Sequence, residues 1–184
     1  MEPGPAEEAM QVKRSRFAAA AVFVGLLSAT ALLGASTASA TLEGTSCSEN
    51  GGTIKLSPGL TETPMVQNVS IKGRLSGCTN GVFAGKYVAH LKSTNALTCA
   101  ALTSGGEVAT GTIVLKWSPK RHGNSNGFFG VKLTETPGAA LSGGIEKGPF
   151  ETGTISGSMT QKYSGTCGHK KVNKGTFTGT FTIS

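Results

Sequence analysis

The last ten residues, Gly175-Thr-Phe-Thr-Gly-Thr-Phe-Thr-Ile-Ser184, alternate without a break. Phe177, Gly179, Phe181 and Ile183 fall on one side, and Thr176, Thr178, Thr180 and Thr182 on the other. A period of two belongs to a β-strand, whose side chains point alternately to opposite faces. A strand with one apolar face must be covered by other strands, and the same period recurs upstream. Thr53–Ser57 turns Ile54 and Leu56 to one side. Gln67–Gly77 alternates Val69, Ile71, Gly73 and Leu75 with Ser70, Lys72, Arg74 and Ser76. Phe83–Ser93 presents Tyr87, Ala89 and Leu91, and Ala96–Leu102 reads as a fourth strand carrying Cys99. Gly111–Ser118 turns Ile113, Leu115 and Trp117, the one tryptophan, inward at the centre of the core. A polar loop over 119–127 leads to Phe129, Val131 and Leu133, then to a short strand within 139–147 and to Thr154–Tyr163.

About eight or nine strands with no amphipathic helix of useful length define an all-β, antiparallel domain. One-face-apolar strands suit a β-sandwich of two half-buried sheets, and a closed antiparallel barrel is the alternative. Leu60-Thr-Glu-Thr-Pro64 recurs as Leu133-Thr-Glu-Thr-Pro137, each directly after a strand. The flanks differ, so the repeat reads as two similar strand exits rather than a duplicated binding loop.

The first 40 residues have a different pattern. Lys13, Arg14 and Arg16 precede an apolar run from Phe17 to Leu33, and Ala38-Ser39-Ala40 follows. This is the order of a secretory signal, with cleavage expected after Ala40. Glu2, Glu7 and Glu8 are unusual ahead of such a cluster, and Met10 opens a cleaner signal, so Met10 is the expected true start. Ser36 stands where a lipidated Cys would follow Leu32-Leu33-Gly34-Ala35, which argues against a lipid anchor. No later stretch is apolar enough to span a bilayer as a helix. The expected address is secreted or envelope-associated, with residues 41–184 as a single domain.

That domain contains all four cysteines, Cys47, Cys78, Cys99 and Cys167. An even count in an exported chain points to two disulfides. Three connectivities are possible; pairing of the first two strands would bring Cys47 opposite Cys78, so Cys47–Cys78 with Cys99–Cys167 is the preferred one. A four-thiolate metal site would show close Cys-x-x-Cys pairs, and none is present.

Cys47, Gly-Gly-Thr-Ile-Lys-Leu-Ser-Pro-Gly-Leu-Thr at 51–61, Ile-Lys-Gly-x-Leu-x-Gly-Cys at 71–78, Ala-Leu-x-Cys at 96–99 and Gly-Thr-Ile-Val-Leu-Lys-Trp-Ser at 111–118 together resemble small exported four-cysteine proteins of actinobacteria. The resemblance covers most of residues 41–184. It implies an exported actinobacterial β-domain and brings no activity or catalytic residue with it.

The search for chemistry yields little. Gly123-Asn-Ser-Asn-Gly127 has the Gly-x-Ser-x-Gly pattern of a nucleophile elbow, but no helix follows, and it reads as a hairpin loop. His90, His122 and His169 share no ligand spacing, so no metal site is expected. There is no cofactor motif. Asp is absent altogether, so carboxylate catalysis would rest on Glu alone. The reading is non-enzymatic, with a Glu-dependent glycan or cell-wall hydrolase and a small-ligand carrier with a barrel cavity as alternatives.

Charge is the remaining signal. Of 17 Lys and Arg and 10 acidic residues, three of each precede residue 41, so the domain carries the whole net +7. Lys116, Lys120, Arg121 and His122 cluster at one strand end, and Lys162, His169, Lys170, Lys171 and Lys174 near the last hairpin. If these loops share an end of the fold, Lys120, Arg121, His122, Lys170, Lys171 and Lys174 form a patch for an anionic envelope polymer or an acidic surface. Nucleic acid is disfavoured, because no aromatic run interleaves with the charges.

Overall fold

The computed structural model describes residues 42–135, 138–167 and 170–184. The signal segment, its start at Met10, the cleavage site after Ala40 and His169 lie outside these residues. Eight strands follow in order: β1 (Thr45–Leu60), β2 (Asn68–Cys78), β3 (Ala84–Ser93), β4 (Val108–Ser118), β5 (Asn124–Leu133), β6 (Gly138–Lys147), β7 (Thr154–Ser164) and β8 (Val172–Ile183). One short helix, α1 (Ala101–Ser104), lies between β3 and β4.

Each strand pairs antiparallel with the next, and β8 returns to pair with β1, from Thr45 opposite Ile183 to Leu60 opposite Val172. The fold is therefore all-β and antiparallel, and its closure is the barrel rather than the favoured sandwich. Both closures use strands of the same period, so alternation cannot separate them. The deciding feature is β1. Its 16 residues pair with β2 on one side and β8 on the other, with register shifts at Cys47/Asn50 and Lys55/Leu60. Bulges of this kind bend a strand and increase its twist, as closure requires.

Two further expectations are corrected. Ala96–Leu102 is not a strand: Leu97 makes a single bridge to Met65, and the chain then turns into α1. Its apolar residues cover a barrel mouth instead of lining a sheet. Residues 124–127 are not loop but the start of β5, paired with β4 from Lys116 opposite Asn124 onward.

The interior is filled by side chains. Tyr87 packs edge-on to Phe129 at 6.2 Å and stacks on Phe181 at 5.7 Å between ring centroids. Room for the Tyr87 ring comes from Gly73 on the neighbouring strand, where any Cβ would overlap it. Such pairing of inward Gly with an aromatic ring fits bulky groups into a narrow barrel. The Tyr87 hydroxyl donates to Asn50 Oδ1 at 3.0 Å, so the buried phenol is satisfied.

The β2–β3, β4–β5 and β6–β7 turns share one end, here the turn end. Phe150 plugs it, edge-on to Trp117 at 5.0 Å. The opposite end is crossed by residues 94–107, here the strap. Cys47–Cys78 joins β1 to β2 at the turn end, and Cys99–Cys167 ties the strap to the β7–β8 connection. Outward positions carry mainly Thr, Ser and Lys, with Val114 and Phe128 exposed among them. Apolar inside and polar outside is the reverse of a lipid-facing barrel. No described helix is long and apolar enough to cross a membrane.

Candidate functional site

The barrel's outward positions sort the charges by strand. Among the described residues, the strands carry two carboxylates: Glu49, whose carboxylate accepts a hydrogen bond from the Ser76 hydroxyl at the turn end, and Glu146 on β6. Strands β7, β8, β1, β2, β3 and β4 present Lys162, Lys174, Lys55, Lys72, Arg74, Lys86, Lys92 and Lys116, all exposed. Register then sets like charges side by side. Arg74 is opposite Lys86, Lys86 is opposite Lys116, and Lys55 is opposite Lys174. Neighbouring strands lie about 4.8 Å apart, so the three-residue row puts three cations within roughly 10 Å at the backbone. Like charges directly opposite each other destabilise a sheet.

Three shallow outer grooves follow these rows. One is flanked by Lys86, Lys116 and Lys120, a second by Lys55, Lys162 and Lys174, and a third by Lys55, His90 and Lys92. None has a carboxylate in its lining. An anion settling there would meet several cations and no repulsive partner, which is the electrostatic arrangement of a polyanion track.

The single patch expected from the loops is not formed. Lys120, Arg121 and His122 belong to the β4–β5 turn at the turn end, whereas Lys170 and Lys171 belong to the β7–β8 connection at the strap end. An antiparallel meander puts successive connections at alternate ends, and these two are three connections apart. Lys120 and Lys174 instead join the outer grooves from their own ends. Arg121 and His122 line a separate crevice that also contains Glu151, so their charge is locally opposed. There the His122 Nε2 is buried without a hydrogen-bond partner among the described residues.

Lys55, Lys72, Arg74, Lys86 and Lys92 fall outside the loop clusters, because pairing between strands, not nearness along the chain, brings them together. Their signal in the sequence is the sign of the charge: apart from Glu49, every charged residue of the first four strands is Lys or Arg.

The remaining chemical candidates lose their reactive geometry. Ser125 of the Gly-x-Ser-x-Gly stretch points into the barrel with no exposure and accepts a 2.9 Å hydrogen bond from Trp117 Nε1. It is a buried partner for the indole, closed to substrate. His90 is exposed on the outer face of β3. Among the described residues, no three His, Cys or Glu side chains come together as metal ligands.

An apolar cavity of about 40 Å³ lies beneath the strap, with Glu107 the one carboxylate among its lining residues. Gln161 and Tyr163 supply its polar wall, and burial pushes the Tyr163 phenol up to about 12. The chain matches no family model, no curated protein and no solved structure.

Proposed function

We propose that this chain is an exported, non-catalytic barrel of an actinobacterial cell envelope, held to an anionic envelope polymer by the outer face of β7, β8 and β1–β4. The observation that carries this reading is the row Arg74–Lys86–Lys116. Three cations opposite one another cost stability. A bound polyanion would turn that cost into binding free energy, because each cation would gain a counter-charge.

Export is supported by the basic, apolar and small-residue order of residues 13–40 and by two disulfides, which persist in oxidising compartments. The actinobacterial assignment rests on the cysteine-centred resemblance. A non-catalytic role is supported by the burial of Ser125 and by a cavity with one carboxylate at its rim. Glycan hydrolysis would need two carboxyl groups facing each other across a cleft.

The test is retention of the protein on cell-wall sacculi bearing anionic polymer, across a salt series. Retention is expected at low salt and lost at high salt, as screening demands. Lys86→Glu with Lys116→Glu should lower low-salt retention by roughly tenfold. Lys170→Glu with Lys171→Glu, on the strap-end connection, should change it little. Salt-independent retention, or equal loss from both pairs, would overturn the proposal.

A further inference from the structure

The repeated Leu-Thr-Glu-Thr-Pro segments have a structural counterpart that the outer face does not use. One begins on the last residue of β1 and the other on the last residue of β5, opposite strands of an eight-stranded barrel, and both open at the strap end. The strap is bound to one copy at each side. Near the first, Leu97 exchanges hydrogen bonds with Met65 at 2.9 and 3.1 Å, and Cys99 N–H donates to Thr61 C=O at 3.0 Å. At the second, Gly106 N–H donates to Leu133 C=O and Leu133 N–H to Glu107 C=O, both at 2.8 Å.

Between these anchors lies a segment whose backbone hydrogen bonds stay within residues 98–104, from Ala101 N–H to Thr98 C=O, Leu102 N–H to Cys99 C=O, and Thr103 and Ser104 N–H to Ala100 C=O. It contains α1, whose N-terminus has no side-chain cap. It ends at Gly105 and Gly106, with φ of +69° and +85°. Gly adopts positive φ without the strain other residues would meet, so the pair turns the chain back toward β4. Residues 100–105 are thus a flap, tethered at Cys99 to Cys167 on one side and at Gly106 to Leu133 on the other.

Under the flap, Leu97 and Leu102 face Leu56, Val69 and Ile71 across the cavity. The wall also holds a buried polar group. The Tyr163 hydroxyl donates to Gln161 Oε1. Among the described residues, Gln161 Nε2 donates only to the Met159 sulfur, at 3.4 Å. A thioether is a weak acceptor, and a side-chain amide has two N–H donors. A buried amide with one weak partner costs free energy that an oxygen acceptor would recover.

We infer that the space beneath the flap is a binding site for a small straight-chain apolar molecule carrying one oxygen acceptor. The chain displaces the partly buried Leu102 side chain of the flap, while Leu97 stays held to Met65, and the oxygen accepts from Gln161 Nε2. Displacement is required because the closed cavity, about 40 Å³, is far below the few hundred Å³ of a ligand pocket. This site is independent of the polyanion track, which lies on the outer wall.

The test uses straight-chain 1-alkanols of increasing length with the oxidised protein, followed by the NMR methyl signals of Leu97, Leu102 and Val131 and of Ile113 near mid-barrel. Saturable shifts confined to the strap-end methyls, with an optimum chain length, are expected. Gln161→Leu should weaken alkanol binding by about tenfold, the worth of one hydrogen bond. The same change should leave a chloroalkane of equal length unaffected. Leu102→Trp should abolish binding by filling the mouth. If that variant does not fold, Gln161→Leu and the chain-length series still decide. Shifts that stay linear with concentration and spread to Ile113, or no shift at any length, would overturn the inference. Equal sensitivity of alkanol and chloroalkane to Gln161→Leu would overturn the assigned role of the amide.

Discussion

Lys86 sits between Arg74 and Lys116, and its surroundings set two properties in opposition. Replacing it with Glu converts two repulsive cross-strand pairs into attractive ones. Each such pair is worth roughly 0.2–1 kcal/mol, so Lys86→Glu should stabilise the fold by about 1 kcal/mol at low salt. The same substitution should weaken polyanion retention. Urea unfolding of the variant beside its sacculus retention checks both signs, and a destabilised variant would mean that the row costs nothing as it stands. Opposite signs for stability and binding are expected where a side chain is kept for its partner. Trp117 shows the reverse relation. Its ring is buried against Phe150 and its indole N–H is bonded to Ser125, so it is committed to packing.

The strap is the element on which sequence and structure part. Its residues 96–102 alternate much as a strand does, and Cys99 in the middle suggested a sheet position. No partner strand is free to receive them, however, because β3 and β4 pair directly with each other. The segment caps the mouth through Leu97 and Leu102 instead. β2, β3 and β8 were legible almost to their ends, since their inward and outward faces differ sharply. The start of β5 was hidden by composition: Asn124-Ser-Asn-Gly127 resembles a loop, yet Ser125 and Gly127 face a crowded interior where bulk would not fit. The outer cation rows needed the register between strands, which no single segment encodes.

The strap's tether can be tested separately from any ligand. Cys99→Ser with Cys167→Ser opens a bridge spanning 68 residues of sequence and should cost on the order of 2–4 kcal/mol. Amide hydrogen exchange should accelerate most over residues 100–105. Uniform acceleration across all eight strands would mean that the flap is no independent unit.

At the scale of the whole molecule, Tyr87 is sealed inside the wall and Tyr163 is partly buried, and both hold their protons beyond the ordinary value. Burial raises Tyr163 from 10.0 to about 12 and Tyr87 further still. In the unfolded chain both would ionise near 10. Above that pH the unfolded state releases protons that the folded state retains, which favours unfolding. Stability should therefore be unaffected by these groups below pH 10 and fall as pH rises through about 12 for Tyr163. Because Tyr87 and Tyr163 are the only tyrosines, phenolate absorbance reports on them alone. It should develop together with the loss of the Trp117 near-ultraviolet circular dichroism signal. Titration near 10 with that signal intact would contradict a sealed barrel.

The seam between β1 and β8 has a consequence for the order of events during synthesis. It joins the first strand made to the last, with Thr45 beside Ile183, so it is the longest-range pairing in the fold. Loop-closure entropy makes such contacts late and slow. Until β8 leaves the ribosome, β1 and β7 remain open edges and the barrel cannot seal. A nascent chain of this design therefore presents two unpaired strand edges, open to a chaperone or to a second chain, until residues 172–183 have emerged.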